Sequence, residues 1–456
     1  VAPERLETAS FLSFALHTPI SMVTVDEAHC ISQWGQDFRP SYLKIIDFVE
    51  QLPGNPIISA FTATATEVVK NDIARILKLK NPNVVVTGFD RENLYYQVEH
   101  LTGKQKDIFI QNYIETHPNE SGIIYCATRK NVDTLYEKLL KQCVSVTRYH
   151  AGMSNDIRKK SQDDFIYDRA QVVIATNAFG MGIDKSNVRF VIHYNMPQSM
   201  ENYYQEAGRA GRDGEPAKCI LLFSTQDVMI SKLLLGSKDF EGMDFQEIEQ
   251  VKHQDSRRLQ LMEGYCMTTS CLRNYILEYF GETTHQPCDN CGNCHQEFEE
   301  LDMTLDAKWV VGCITEMRGR YGQALVIGTL LGSKKARLKD IGATSYNCYG
   351  QLENRTEADL RLLISQMIRM GYITQTEGEY SVLKAGNIAD LQNKNTKIII
   401  KKFKEKEKIS TTKKHKTPFK KDSFSASTES SSTDSTATNS SHNSALFEAL
   451  RQLRLQ

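Results

Sequence analysis

Seven short apolar runs are spaced through roughly the first half of the chain, with amphipathic stretches between them. The runs are MVTV (22–25), PIISAF (56–61), GIIYCA (122–127), VTRYHA (146–151), QVVIAT (171–176), RFVIHY (189–194) and CILLFS (219–224). Strands that are apolar almost without alternation are buried on both faces. Stretches such as KNVDTLYEKLLKQ and NDIRKKSQDDF carry the spacing of the helices that cover such faces. The pattern constrains the chain to the α/β class with parallel sheets. Its 456 residues allow roughly two to four domains.

The segment GFDRENLYYQVEH (88–100) reads as a crossing between two α/β units, 1–88 and 89–225. Residues 226–300 read as helical and end in a cysteine cluster. Residues 301–390 read as a helix-rich piece whose last part is a helix followed by a two-stranded hairpin. Composition then changes: 397–421 is dominated by lysine and 422–444 is a Ser/Thr tract with almost nothing to bury. Such a segment cannot offset its ordering entropy, so 391–443 is expected to be a flexible linker. Its lysine run reads as a solvated tether or as an arm that attracts phosphate. Helical periodicity returns in 444–456, where Leu446, Phe447, Leu450 and Leu453 share a face.

With 55 basic and 56 acidic residues, the chain has no global field that marks a nucleic-acid or membrane partner; such a partner must meet local patches. No apolar run reaches the length of about 18 residues that spans a bilayer, so no membrane partner is expected. The opening VAPERLETAS lacks the features of a secretory leader, and the chain is expected to be cut from something longer. Most of the 11 cysteines stand singly, as Cys30, Cys126, Cys143, Cys219, Cys313 and Cys348 do. That scatter fits a reducing compartment: cytoplasm or nucleoid, or a nucleus in a eukaryote, and not secretion.

Six motifs carry chemistry. Asp26 and Glu27 follow a strand, where open α/β sheets place their ligand crevice. An Asp there can hold a nucleotide-bound Mg²⁺ and the next Glu can activate a water; the alternative is two carboxylates capping a helix. His29 and Gln33 share a face and can link the site to a second element, while Thr62 and Thr64 of AFTATAT can bond the carboxylate segment. In ATNAFGMGIDK, Gly180 and Gly182 permit close backbone approach, and Asp184 is a ribose or magnesium-network candidate. In YYQEAGRAGRDGEPA, Arg209 and Arg212 are expected on one helical face, suited to a γ-phosphate at a domain cleft; otherwise they are surface arginines beside a turn. Cys271, Cys288, Cys291 and Cys294, with two C-x-x-C steps, suit one tetrahedral zinc, with an iron–sulfur cluster or free thiols as the rivals. Cys266 reads as core. In WGQDFRP, Trp34, Phe38 and Arg39 suit stacking on unpaired bases, or else form a buried Trp corner.

Residues up to about 390 resemble the RecQ family of superfamily-two DNA helicases. The pieces that carry the likeness are VAPERL, VDEAHCISQWGQDFRP, FTATAT, ATNAFGMGIDK, YYQEAGRAGRDG and the Cys271/Cys288/Cys291/Cys294 spacing. The resemblance implies two RecA-like lobes (the first incomplete), a helical zinc subdomain, a winged-helix domain and the start of an HRDC domain at 444–456. It implies an ATP-dependent enzyme moving 3′ to 5′ on DNA in recombination and repair, at single-strand/duplex junctions; it leaves protein partners unknown. By the same likeness Asp26 holds Mg²⁺ with ATP and Glu27 activates water, with His29 nearby. Arg212 is the arginine finger beside Arg209 and Gln205, and Gly182 and Asp184 flank the nucleotide. Trp34, Phe38 and Arg39 form the loop that couples DNA binding to hydrolysis. Gln36 stands where many members have His. No G-x-x-x-x-G-K-[ST] occurs in the chain, and the resemblance places that loop before Val1, so hydrolysis by the chain alone is expected to be weak or absent. The rival reading is a non-catalytic DNA-binding module built on the zinc and winged-helix parts.

Overall fold

The computed structural model describes residues 1–32, 35, 37–180, 184–237, 245–284, 286–376, 381–387 and 397–403. In the first unit, strands β1 (Met22–Val25) and β2 (Ile57–Ala60) pair in parallel, Val25 opposite Ala60. Helices Pro40–Gln51 and Glu67–Ile76 pack Phe48, Val49, Val69 and Ile73 with Val25, Ile31 and Leu77. Among the described residues this sheet has two strands, below the three or so that make a sheet self-sufficient. Its outer side is apolar and open: Ile57 is 65% exposed and Phe61 60%, and Val84, Val85 and Val86 lie exposed in the extended segment beyond.

The second unit is a six-stranded, all-parallel sheet in the order β3-β8-β7-β4-β6-β5. Its strands are β3 (Leu94–His100), β4 (Ser121–Tyr125), β5 (Val146–Tyr149), β6 (Val172–Ala175), β7 (Val188–His193) and β8 (Ala217–Phe223). Every residue of β4 and β6 is buried, as their unbroken apolar runs demand. Helices Gly103–Thr116 and Arg129–Lys141 cover one face, with Ile110, Ile114, Val132 and Leu135 against Ile124, Ile174 and Ile192. β3 corrects the reading of 88–100 as a mere crossing. It is an edge strand that alternates buried Leu94, Tyr96 and Val98 with partly exposed neighbours, so it lacks the continuous apolar signature of the inner strands.

The opposite face of this sheet shares one core with the helices Phe245–Met267 and Leu272–Tyr279. Tyr203, Met262, Tyr265, Leu272, Ile276 and Cys291 pack together without a break at residue 225. A bridge between Tyr96 and Cys291 lays the cysteine segment along the edge of β3, covering backbone groups that an open edge leaves unpaired.

The last unit has its own core, with Val310, Ile314, Leu330, Leu360, Ile364 and Met367 drawn from helices Thr304–Glu316, Gln323–Leu330 and Glu357–Arg369. Strands β9 (Phe298–Asp302), β10 (Ile373–Gln375), β11 (Leu383–Ala385) and β12 (Ile399–Phe403) complete it. The expected helix-then-hairpin is present as Glu357–Arg369 followed by β10 and β11. β12 overturns the tether reading for the start of the lysine run. Ile399–Phe403 pairs antiparallel with β9, burying Ile398 and Ile400 in the core, while Lys401 and Lys402 face Glu300 and Asp359. The triple isoleucine supplies burial that the lysines around it conceal. The rest of the expected linker and the helix at 444–456 lie outside the described residues.

A buried ion pair ties the second unit together. Lys106 Nζ donates to Asp227 Oδ2 and to the Tyr194 carbonyl, both at 2.7 Å, and Asp227 also accepts from Asn195 Nδ2 at 2.7 Å and from the Ser224 N–H at 2.8 Å. Removing one partner strands a charge away from water. Lys106→Met or Asp227→Leu alone should each lower stability by about 3–5 kcal/mol in urea unfolding, and the double replacement Lys106→Met/Asp227→Leu by clearly less than the sum.

Candidate functional site

β1 delivers Asp26 and Glu27 to a tight turn, Ala28–Ile31. Glu27 sits in the left-handed region at φ 48°, a conformation that costs a non-glycine residue energy and recurs at functional sites. The turn is held by Ala28 N–H to the Phe61 carbonyl at 2.9 Å and by Asp26 Oδ1, which accepts from Glu27 N–H at 2.8 Å. Buried His29 places Nδ1 3.0 Å from Thr62 Oγ1 and 3.3 Å from Glu27 Oε2. Burial, and next the neighbouring Asp26, push the Glu27 carboxyl above its ordinary range; burial pushes His29 below its own. Thr62 therefore meets the carboxylate segment through His29, and Thr64 accepts a 3.0 Å bond from Gln205 Nε2 of the second unit.

Across a shared cavity of about 1740 Å³ from Glu27 stand Asp184, Gln205, Arg209 and Arg212. The two arginines are not on a helix, as expected, but in the turn beyond it: helix Met200–Ala207 is capped by Gly208, and Gly211 at φ 55° reverses the chain. Arg209 Nη1 donates to the Gly180 carbonyl at 2.6 Å, while its buried Nε has no hydrogen-bond partner among the described residues. A Cβ on Gly180 would lie 2.2 Å from Arg209 Nη2, so glycine there is what admits the guanidinium. Burial, then the adjacent Arg209, depress the Arg212 guanidinium, opposed by Asp184. Two crowded, partly desolvated cations facing a carboxylate turn make a site suited to a polyanion. Gly182 lies outside the described residues.

In the aromatic loop, Trp34 likewise lies outside them. Phe38 is half-buried, and Arg39 donates from Nη2 to Asp37 Oδ2 at 2.6 Å. Gly35 is pressed against the His29 carbonyl, where a Cβ would lie at 2.2 Å, and its own carbonyl accepts from Arg258 Nη2 at 2.8 Å. Arg258 also lies 3.9 Å from buried Glu201, to which the Tyr279 hydroxyl donates at 2.6 Å. Neither Arg258 nor Glu201 was legible as a site residue, because each reads as an ordinary charge on an amphipathic helix.

The four thiolate candidates converge: their sulfurs all lie within 4.8 Å of one another, with Cys288–Cys294 at 3.9 Å and Cys271–Cys291 at 4.0 Å. A tetrahedron with Zn–S bonds of about 2.3 Å has edges of about 3.8 Å, so one zinc fits. An iron–sulfur cluster must hold its own atoms between the thiolates and needs a wider cage. Backbone N–H groups of Leu272, Asn274 and Asn290 point at three of the sulfurs, and the Cys271 thiol is drawn down to about 4, first by Cys291. Cys266 is core: buried, with its thiol pushed up by desolvation.

The segment between the units is gripped from both sides. Arg273, two positions after Cys271, donates to Asp90 and to the carbonyls of Arg91 (2.7 Å), Glu92 (3.2 Å) and Leu94 (2.6 Å). Phe89 stacks on Phe280 with ring centroids 4.3 Å apart, and Arg91 lines the cavity.

Three protein families match along the chain: Helicase conserved C-terminal domain over residues 105–214, RecQ zinc-binding over 225–295 and RQC domain over 297–409. The ATP-dependent DNA helicase RecQ of Bacillus subtilis is 42% identical over 383 residues, 84% of this chain and 63% of that protein. The ATP-dependent DNA helicase RecQ of Pasteurella multocida is 38% identical over 376 residues, 82% of this chain and 58% of that protein. The RecQ-like DNA helicase blm-1 of Caenorhabditis elegans is 33% identical over 395 residues, 82% of this chain and 39% of that protein. The chain thus spans less than two thirds of the length of each of these relatives.

Two outcomes follow from the geometry. Elemental analysis should find one zinc per chain, and Cys288→Ser should lose it and lower the melting temperature by several degrees. For Glu27, a raised carboxyl means that the folded chain holds the proton more tightly than the unfolded one, so stability is lost as pH climbs above the ordinary 4.5. Glu27→Gln should therefore melt up to a few degrees higher than wild type near pH 7, and the gap should close toward about pH 4.

Proposed function

The chain belongs to the RecQ family of helicases, and on that premise we propose that it is the greater part of an ATP-dependent DNA helicase whose nucleotide cleft is the cavity between Glu27 and the arginine turn. The observation that carries this reading is the placement of Arg209 and Arg212, crowded and desolvated, across one cavity from the carboxylate turn of the other unit. Phosphoryl transfer asks for little more than such positioning and charge compensation.

In this assignment Asp26, exposed beside the cleft, offers the oxygen donors that Mg²⁺ takes, and magnesium when bound neutralises phosphate charge. Glu27, whose proton affinity is raised by burial, orients and deprotonates the attacking water. His29 and Thr62 hold that turn against the second strand. Arg212 and Arg209 meet the γ-phosphate, Gln205 ties the arginine helix to Thr64, and Gly182 and Asp184 flank the nucleotide. Trp34, Phe38 and Arg39 stack on unpaired bases, and movement runs 3′ to 5′ at junctions during recombination and repair. Contact between Gly35 and Arg258 supports this coupling, since it joins the loop to the helix that also reaches Glu201.

Among the described residues, the walls of the cleft so assigned include no glycine–lysine phosphate loop. Exposed Ile57 and Phe61 at β2 and exposed Val84, Val85 and Val86 line one cavity, and we assign that open apolar position to a further parallel strand carrying the loop. The 456-residue chain is then expected to bind zinc and DNA junctions while turning over little ATP. The rival, a binding module without catalysis, draws on the separate core of residues 303–400.

Turnover measured with and without single-stranded DNA decides between them. Supplying the loop-bearing segment should restore DNA-stimulated hydrolysis, which Glu27→Gln should then reduce about 10²–10⁴-fold and Arg212→Ala about 10³-fold. Restored turnover indifferent to both substitutions would sink the cleft assignment. Turnover by the unsupplemented chain that Glu27→Gln abolishes would sink the half-site reading.

A further inference from the structure

Arg91 and Asn93 lie in the segment that joins the two α/β units, and no step of the proposed hydrolysis uses them. The Arg91 guanidinium donates to three backbone carbonyls: Gly208 at 3.4 Å, Ala210 at 3.3 Å and Gly211 at 3.0 Å. Asn93 Nδ2 donates to the Gly211 carbonyl at 2.8 Å and to that of Glu215 at 2.9 Å, and Asn93's own carbonyl accepts from Ala217 N–H at 3.0 Å. These carbonyls flank Arg209 and Arg212 in the chain. They follow the end of helix Met200–Ala207, where carbonyls lack helical partners and a cation is favoured.

We infer that Arg91 is a positioning residue for the arginine turn, and that the zinc-bearing helix fixes Arg91 through Arg273. The inference rests on reading the cavity as a nucleotide cleft only for its functional consequence; the strut itself is geometric. Three guanidiniums gather at this turn, Arg91, Arg209 and Arg212, and each repels the others. Their proximity persists because carbonyls compensate Arg91, and its rigid planar fork spans the three of them with two nitrogens, a spread that the single nitrogen of a lysine does not reproduce. Gly211 is pressed so close that a Cβ would lie 2.4 Å from Asn93 Nδ2.

The far side of the strut is equally fixed. Arg273 is 5% exposed and donates to the carbonyls of Arg91, Glu92 and Leu94 and to Asp90. Asn290, between two of the cysteines, donates from Nδ2 to the Glu92 carbonyl at 2.9 Å. The Tyr204 hydroxyl donates to the Phe89 carbonyl at 2.9 Å, so the helix that leads into the arginine turn holds the same segment. Order at the zinc centre thus reaches Arg209 and Arg212 through one short segment, 89–94, which holds a turn closed by Leu94 N–H to the Arg91 carbonyl at 3.0 Å, with no contact between the metal ligands and the cleft needed.

Hydrogen–deuterium exchange of the whole chain tests this. In Arg91→Gln the amides of 204–214 should exchange about tenfold faster or more, while β4 and β6 keep wild-type rates. Unchanged exchange at 204–214 would overturn the inference. Should Arg91→Gln fail to fold, Arg91→Lys decides in its place: it should speed the same amides to a smaller degree, and wild-type rates would count against the strut. Arg273→Lys, which keeps the charge but not the fork, should speed 204–214 with zinc still bound at one per chain; acceleration confined to the neighbourhood of Cys271 would overturn the zinc-helix link. Tripolyphosphate binding by calorimetry separates the two readings. Loss of affinity in Arg212→Ala supports the cleft, and no loss would overturn the cleft reading while the exchange result still decides the role of Arg91.

Discussion

The guanidinium of Arg273 is the contact on which the arrangement of the second unit depends. A cation with so little exposure persists only if its donors are satisfied, and here one carboxylate and three consecutive-region carbonyls do so. The result is a fixed path for residues 90–94, the start of β3 and hence the edge of the six-stranded sheet. The same helix begins at Cys271, so metal ligation, sheet edge and inter-unit segment share one rigid support. That is why the core runs on past residue 225, without the break that the change from α/β to helical pattern suggested.

The cleft is built on the opposite principle, incomplete compensation. Glu27 is held in a strained backbone conformation, its Oε2 met by His29 Nδ1 only at 3.3 Å, and Arg209 buries an Nε that has no hydrogen-bond partner among the described residues. Charged groups left short of partners store the capacity to bind something that supplies them. The second unit answers the carboxylate turn with cations, and the Thr64–Gln205 bond brings the two sides within reach of one another.

Much of this was legible in the amino-acid order, and the reasons are physical. Inner strands such as β4 and β6 must be apolar on both faces, which leaves an unmistakable run; cysteine spacing is set by the geometry of four bonds to one ion. The edge strand β3 and the closing strand β12 escaped, because each shows one face to solvent and carries Gln, Glu or Lys there. The arginine turn was located but given helical geometry, since the spacing of Arg209 and Arg212 fits a helix that Gly208 in fact ends. Arg91 and Arg273 were invisible as a pair. Both act on backbone carbonyls, and a carbonyl has no letter in the sequence.

The pairing of β12 with β9 also governs when the last unit can exist. Asp302 and Ile399 are neighbours across the sheet yet stand about 100 residues apart in the chain. Closing so long a loop is slow, and the core around Leu360 and Met367 stays open at Ile398 and Ile400 until it closes. During synthesis this unit must therefore wait for Phe403 to clear the ribosome, while the six-stranded sheet, complete at Phe223, can already have formed. The lysines around the triple isoleucine then take on a further meaning, as charges that keep an unpaired apolar strand soluble until its partner is reached.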